Sequence, residues 1–447
     1  MMDIPAGEVA ELLVALIRNE CVNDGTPDSG HEHRSAETIT DYLGADGVAF
    51  EPHPGRRSVI WRIPGTTPGA PRIMLMGHTD VVPAPHAGWV VDPFAAERRD
   101  GFIWGRGAVD MLDQTAAMAA VAKRYLEGAA PRLPGDLVFL AVADEEAAGH
   151  LGAEWLVDHH WDEVGCEYLI TEIAAPSLPW TGGVPVTVAE KGPHWRRLST
   201  RGLTSHGSQP YGARNALLPM ADAVRRLAEQ PPAAEITEEW RRFVTAWNPP
   251  GAIAGRLVDP DLVDGVIDEI APDDPGLARW IHACTHMTVS PNTLHAGVKA
   301  NVVPAAADAE LDVRTLPGQD EQSVLDHFRK VLAPDLDDDV TVHAVETTAA
   351  NGSAPQGPLW EAIGDALASM DAAAAVPTMI PVATDARFFR RRGTVCYGLG
   401  LFDDGIGFGD FLDMFHGPNE RVSEASLAAT AALYGRILEG FGRLTTA

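Results

Sequence analysis

Hydrophobic positions fall along this chain in two textures. In the first part, short uninterrupted apolar runs at 73–76 (IMLM), 137–142 (LVFLAV) and 168–170 (YLI) alternate with stretches of helical spacing at 115–126 and 153–159. Such short runs read as strands buried on both faces. Strands alternating with helices predict an α/β sheet covered on both sides. Functional residues in such sheets collect at the C-terminal ends of the strands. Val9, Leu12, Leu13, Leu16 and Ile17 recur at helical spacing and predict an amphipathic first helix. Acidic residues interrupt this stretch and no small-residue cleavage site follows, so it is not read as a signal peptide.

From 191 to about 346 the texture changes. Stretches at 194–200 and 307–313 alternate apolar and polar residues, as suits a sheet with one solvated face. Helical patterns at 216–229 and 321–332 accompany them. Within this part, 231–291 is rich in Pro, Asp and Trp and reads as an irregular helical elaboration. The α/β texture then returns, with a helix expected over 359–370, a strand over 395–399 and a final helix over 423–441 capped by Ser423. The expected architecture is one α/β domain (1–190 and 347–447) interrupted by a smaller α+β domain (191–346).

Composition narrows the partners. The chain has 447 residues, 45 % hydrophobic and 22 % charged, near the globular norm. The formal net charge of −29 repels nucleic acid and anionic membrane, so neither is an expected partner. The four cysteines, Cys21, Cys166, Cys284 and Cys396, are scattered, which argues against a disulfide framework and against a thiolate zinc site. No apolar stretch is long enough to span a membrane, and the expected location is the cytoplasm.

The chemistry sits where the buried runs end. His78 and Asp80, in GHTD after the IMLM run, are two positions apart and face the same side of an extended segment. A metal-bound histidine commonly holds a carboxylate on its second nitrogen, so His-x-Asp supplies ligand and orienting group together. The glycines of WGRGAVD allow a sharp turn that brings Asp110 to the head of a helix, where it would otherwise serve as an N-cap. Asp144, Glu145 and Glu146 end the LVFLAV run, and three such acids repel one another unless cations or protons relieve them. Glu172 follows the third run, and His416 comes from the returning α/β part. Each has a structural alternative, but together they form the inventory of a two-metal hydrolase site. Two imidazoles and several carboxylates suit zinc, with cobalt or manganese as alternatives. One carboxylate would bridge cations about 3.5–4 Å apart, leaving one acid for proton transfer. The pairs His31/His33, His159/His160 and His282/His286 lack strand-end carboxylates and read as structural or solvated.

In this order, MGHTDVVPA, WGRGAVDM, ADEEAAGHLGAEWL, LITE, GLTSHGSQP, KANVVPAAADAELDVRTLPG, ATDARFF and FHGPNERV resemble the M20 family of metallopeptidases. That group includes aminoacylases, carboxypeptidases, succinyl-diaminopimelate desuccinylases and dipeptidases. The resemblance implies a zinc-exopeptidase-like mixed sheet flanked by helices, with an inserted lid that also mediates dimerisation. It implies that His78 and Glu172 hold one metal, that Glu146 and His416 hold the other, and that Asp110 bridges. Asp80 would orient His78, and Glu145 would be the general base. His206 would stabilise the oxyanion, supplied by the partner subunit in dimeric members. Asn301, Arg314, Thr384 and Arg387 would line the substrate end of the cleft.

The sequence departs from the family pattern in two places. Leu112 stands where many relatives have Lys, and Pro381-Val382-Ala383 replaces a Gly-Gly pair on the substrate side. The expected reaction is hydrolysis of the amide bond of a small N-acyl amino acid or dipeptide-like substrate. A carbamoyl, ester or aryl-amine bond on the same site, or a non-catalytic scaffold, are the alternatives.

Overall fold

The computed structural model describes residues 4–333, 336, 339–403 and 405–446. The buried runs become the centre of a nine-stranded mixed sheet. Ile73–His78 lies between Leu137–Val142 and Tyr168–Thr171, parallel to both, and Val395–Gly398 extends the parallel set beyond Tyr168–Thr171. Antiparallel strands Ser58–Ile63 and Val48–Phe50 close one side. On the other side Val184–Glu190 pairs with Val395–Gly398, and Ala375–Ile380 runs parallel to it.

Alternation along the central strands divides the core. Ile73, Leu75, Leu137, Phe139 and Ala141 face one layer, packed by helices Ala6–Arg18, Leu112–Leu126, Pro358–Ser369 and Glu424–Leu444. Met74, Met76, Val138, Leu140 and Val142 face the other, against Ala153–His159 and Ala386–Arg390. A period of two with both faces covered is why these strands read as continuous apolar runs. Ser423 caps the last helix through its side chain, which accepts from the Ser426 amide.

Register then aligns the strand ends. His78 stands opposite Val142 and Leu75 opposite Ile170, so the residues just after each strand emerge on one edge. Close backbone approach holds this edge together. A Cβ on Gly77 would overlap the Thr115 hydroxyl, and one on Gly398 would overlap the Glu172 carbonyl oxygen.

A second, five-stranded antiparallel sheet is drawn from residues 192–344, in the order Thr288–Ala296, Ala306–Thr315, Arg196–Arg201, Val340–Ala344, with Gly192–Pro193 pairing Ala306–Thr315. Helices Leu217–Glu229 and Glu321–Leu332 cover one face through Leu198, Met220, Leu311, Val313 and Phe328.

The helical part of the elaboration expected at 231–291 within this insert packs elsewhere, while its last residues, from Thr288, enter the second sheet. That part forms helices Glu238–Trp247, Gly251–Leu257, Val263–Ile270 and Pro275–Thr285. Their Trp240, Phe243, Trp247 and Ile281 join the core of the large sheet, where Glu238–Trp247 lies against Ala375–Ile380. The reason is amphipathic: the apolar stripe of Glu238–Trp247 is aromatic and wide, and the small sheet's covered face is already filled by two helices.

Candidate metal centre

Five segments, carrying His78, Asp110, Glu145/Glu146, Glu172 and His416, converge at the aligned edge of the large sheet. Asp110 is the shared residue: one carboxylate oxygen lies 3.2 Å from His78 Nε2 and the other 3.3 Å from His416 Nε2. His78 Nε2 is also 3.8 Å from Glu172, and His416 Nε2 is 3.2 Å from Glu146. Ligand atoms of His78, Glu145 and Glu172 lie within 4.8 Å of one another, as do those of His78, Asp110 and Glu146. Asp110 is therefore not a helix N-cap: Leu112–Leu126 begins after Met111, and no side chain caps it.

The local backbone explains these positions. A three-stranded sheet pairs Arg421–Ser423 with Phe102–Trp104, bringing the His416 segment beside the segment that leads to Asp110. Asp144 and His416 both adopt positive φ, 74° and 56°, which is uncommon for residues other than glycine. Asp80 accepts from the Glu146 amide (3.1 Å) and from Asn23 (2.8 Å), and the His78 Nδ1 is 3.0 Å from the Asp80 carbonyl and 3.6 Å from its carboxylate.

The electrostatics are those of acids gathered without enough positive charge. Burial, and then the charge of Glu172, push the Glu145 carboxyl well above the usual range. Burial raises Glu172 far as well, with His78 opposing and Asp110 adding to it, and it raises Glu146. Asp110 is lowered in spite of burial because both histidines hydrogen-bond to it. His416 is pushed up to about 10 by its hydrogen bonds to Asp110 and Glu146. One oxygen of Glu146 and one of Asp80 are buried without a partner.

Of the three acids after Leu137–Val142, Asp144 does not crowd Glu145 as the run of acids suggests. It turns away to Arg56, Asn23 and the Leu151 amide. Arg56 also meets Glu32 at 2.9 Å, and Asp144, Arg56, Asn23 and Glu32 are all buried. Burial pushes Glu32 up to about 8, with the charge of Asp80 adding to it. Arg56, Glu32 and Asn23 carry no sequence signal; an Arg after Pro-Gly reads as surface.

A cavity of about 680 Å³ opens on the acids. Arg314 and Arg387 line it; Asn301, His206 and Thr384 do not. Thr384 is buried and gives its amide (3.0 Å) and hydroxyl (2.8 Å) to Glu190. His206 is exposed, bridges to Val302, and accepts from the Ser208 amide at 3.2 Å. Arg387 donates to the carbonyls of Thr384 (2.7 Å) and Ala148 (2.8 Å), and Arg314 pairs with Asp312.

Residues 74–440 match the model of peptidase family M20/M25/M40. The chain is 27 % identical over 375 residues to a succinyl-diaminopimelate desuccinylase of Maricaulis maris, covering 83 % of this chain and 82 % of that one. It is 25 % identical over 421 residues to human aminoacylase-1, covering 92 % and 90 %. Among solved structures, an M20 family metallo-carboxypeptidase from Sulfolobus solfataricus superposes with a TM-score of 0.75 at 18 % identity, covering 99 % of this chain and all of that one.

Proposed function

The chain belongs to peptidase family M20/M25/M40, and on that premise we propose that it hydrolyses the amide bond of a small N-acyl amino acid or dipeptide at a pair of divalent cations. One observation carries this reading: the two oxygens of Asp110 are divided between two histidines, each backed by a further glutamate. The donor set fits two cations. It is imidazole and carboxylate only, burial and then neighbouring charges raise Glu146 and Glu172, and Glu146 keeps a buried oxygen without a partner. His78 and Glu172 would hold one ion, Glu146 and His416 the other, with Asp110 between. Zinc suits these ligands best, with cobalt or manganese as alternatives.

When bound, the cations supply Lewis acidity, lowering the pKa of a water and polarising the scissile carbonyl. Glu145 lines the cavity and would take the proton of the attacking water on its carboxylate, then pass it to the leaving nitrogen. Asp80 would fix the tautomer of His78 from behind. The relatives' names support the substrate class, an acylated amino acid or dipeptide.

His206 and Asn301 stand outside the cavity of their own chain, so we assign their roles to a partner's site in a homodimer formed through the insert. Exposed apolar residues on that insert, Leu203, Tyr211, Leu218 and Val298, support it. Four free, buried cysteines suit a reducing compartment such as the cytoplasm. The test is Glu145→Gln. It should keep both ions and lose turnover by at least about 10²-fold. Loss of an ion together with activity would make Glu145 a ligand instead.

A further inference from the structure

The cavity extends beyond the acids to a wall that the hydrolytic reading does not use. Its surface is made by Trp195, Trp280, Ile380, Val382, Leu412 and Phe415. The wall is firmly built. Trp280, in Pro275–Thr285, packs against Trp240, Phe243 and Phe408, with ring centroids 5.7, 5.1 and 5.5 Å away. Gly276 backs onto the Gly409 backbone so closely that a Cβ would lie 2.5 Å from the Gly409 carbonyl oxygen. Arg279 is ion-paired with Asp413. Helix Pro275–Thr285 and the segment that leads to His416 therefore form one unit, and the elaboration at 231–291 gains a task.

The cations on this cavity are largely engaged. Arg279 faces Asp413, and Arg314 gives Nε (2.9 Å) and Nη2 (3.1 Å) to Asp312. Arg387 alone of the three gives its hydrogen bonds to carbonyl oxygens and not to a carboxylate, although the buried Asp385 carboxyl also feels its charge, which makes it the candidate partner for one anion. Glu346 adds a further acid to the lining. A substrate with a second carboxylate would meet Glu346 on an apolar surface whose Arg279 is already paired with Asp413, an unfavourable exchange for its hydration.

We infer that this wall selects substrates with a single carboxylate and a neutral aryl or branched aliphatic side chain, an inference that rests on the amide-hydrolase reading above. An aromatic side chain would pack against Trp195, with buried Trp280 behind the wall, and displace water from a pre-formed apolar surface.

The experiment compares kcat/KM of the metal-loaded full chain for N-acetyl-phenylalanine, N-acetyl-leucine, N-acetylglycine, N-acetyl-aspartate and N-succinyl-phenylalanine. The first two should exceed the next two by about 10–100-fold, the range that lost apolar contacts give in a hydrophobic pocket. N-acetyl-phenylalanine should likewise exceed its N-succinyl counterpart. Val382→Lys, at a partly exposed rim position, should raise the aspartate-to-phenylalanine ratio by about 10-fold or more, one new charge pair in a half-buried site. Calorimetric binding of free phenylalanine and free aspartate reads the wall without turnover. Cleavage with aspartate or succinyl preferred would overturn the inference and leave the hydrolase reading standing. Cleavage of none of these amides, nor of a dipeptide such as alanyl-phenylalanine run beside them, would overturn the hydrolase reading, and the binding order would still decide the wall: tighter aspartate sinks it.

Discussion

Glu420 is wholly buried, and its carboxylate accepts the backbone amides of Val109 (2.7 Å) and Asp110 (3.1 Å). The same group takes the Gly107 amide at 2.9 Å and Arg106 at 2.7 Å. The segment that carries His416 thus grips the turn that presents Asp110, and the two loops cannot move apart independently. Burial pushes Glu420 up to about 7, with Arg106 opposing.

Replacing this carboxylate by an amide should loosen that grip. Glu420→Gln turns an NH2 toward donors and removes the charge opposite Arg106, leaving a buried cation short of its partner. The expected outcome is metal affinity weakened by about 10–100-fold, as for other groups that orient ligands. Titration against a competing chelator measures it.

His206 gives a second prediction. If it serves the partner's site, His206→Ala and Glu145→Gln are each inactive as homodimers. Mixing them under exchange conditions should restore activity, because one of the two sites in a mixed dimer is intact. The plateau should approach about one quarter of the wild-type rate for random pairing, since half of the dimers are mixed and each has one complete site. No recovery after verified exchange would place His206 outside the partner's chemistry.

Lys191 gives a pH prediction away from the metal ligands. Its ammonium is buried and donates to the carbonyls of Ala283 (2.9 Å) and His286 (2.7 Å) and to Thr288 (3.1 Å). Burial, chiefly, lowers it to about 7 from 10.5. Between those values the unfolded chain binds more protons than the folded one, so stability rises with pH across that window and is lost as pH falls toward 7. Lys191→Met removes the titration. Wild-type stability relative to this variant should therefore increase from pH 7 to pH 10, by at most about 1.4 kcal/mol per pH unit. Chemical denaturation at several pH values checks the slope.

Much of the large sheet was legible because buried strands announce themselves. The run at 137–142 became Leu137–Val142 without change, and the helices at 153–159 and 321–332 also match their expected bounds. Val184–Glu190 and Ala375–Ile380 were not singled out, since a proline inside each breaks the apolar run that marks a buried strand. Two of the proposed ligands were legible from the buried runs alone, since His78 ends one strand and Glu172 directly follows another; Asp110 and His416 lie on longer loops. The supporting groups were not legible. Arg56 meets Asp144 from 88 positions away, and Glu420 meets Asp110 from 310, distances over which no local pattern exists. The elaboration at 231–291 misled for a similar reason: its helices are short and separated by Pro and Asp, and only packing shows which core they join.

Everything about the reaction depends on two cations sharing Asp110, so metal stoichiometry is the direct measurement. After equilibration with buffered zinc and removal of excess, elemental analysis of the wild type should give about two ions per chain, the number a bridged pair requires. Asp110→Asn, which keeps the shape and removes the bridging charge, should fall below about one. A wild type holding fewer than one tightly bound ion under these conditions, or an Asp110→Asn protein that still holds two, would contradict the shared-carboxylate centre.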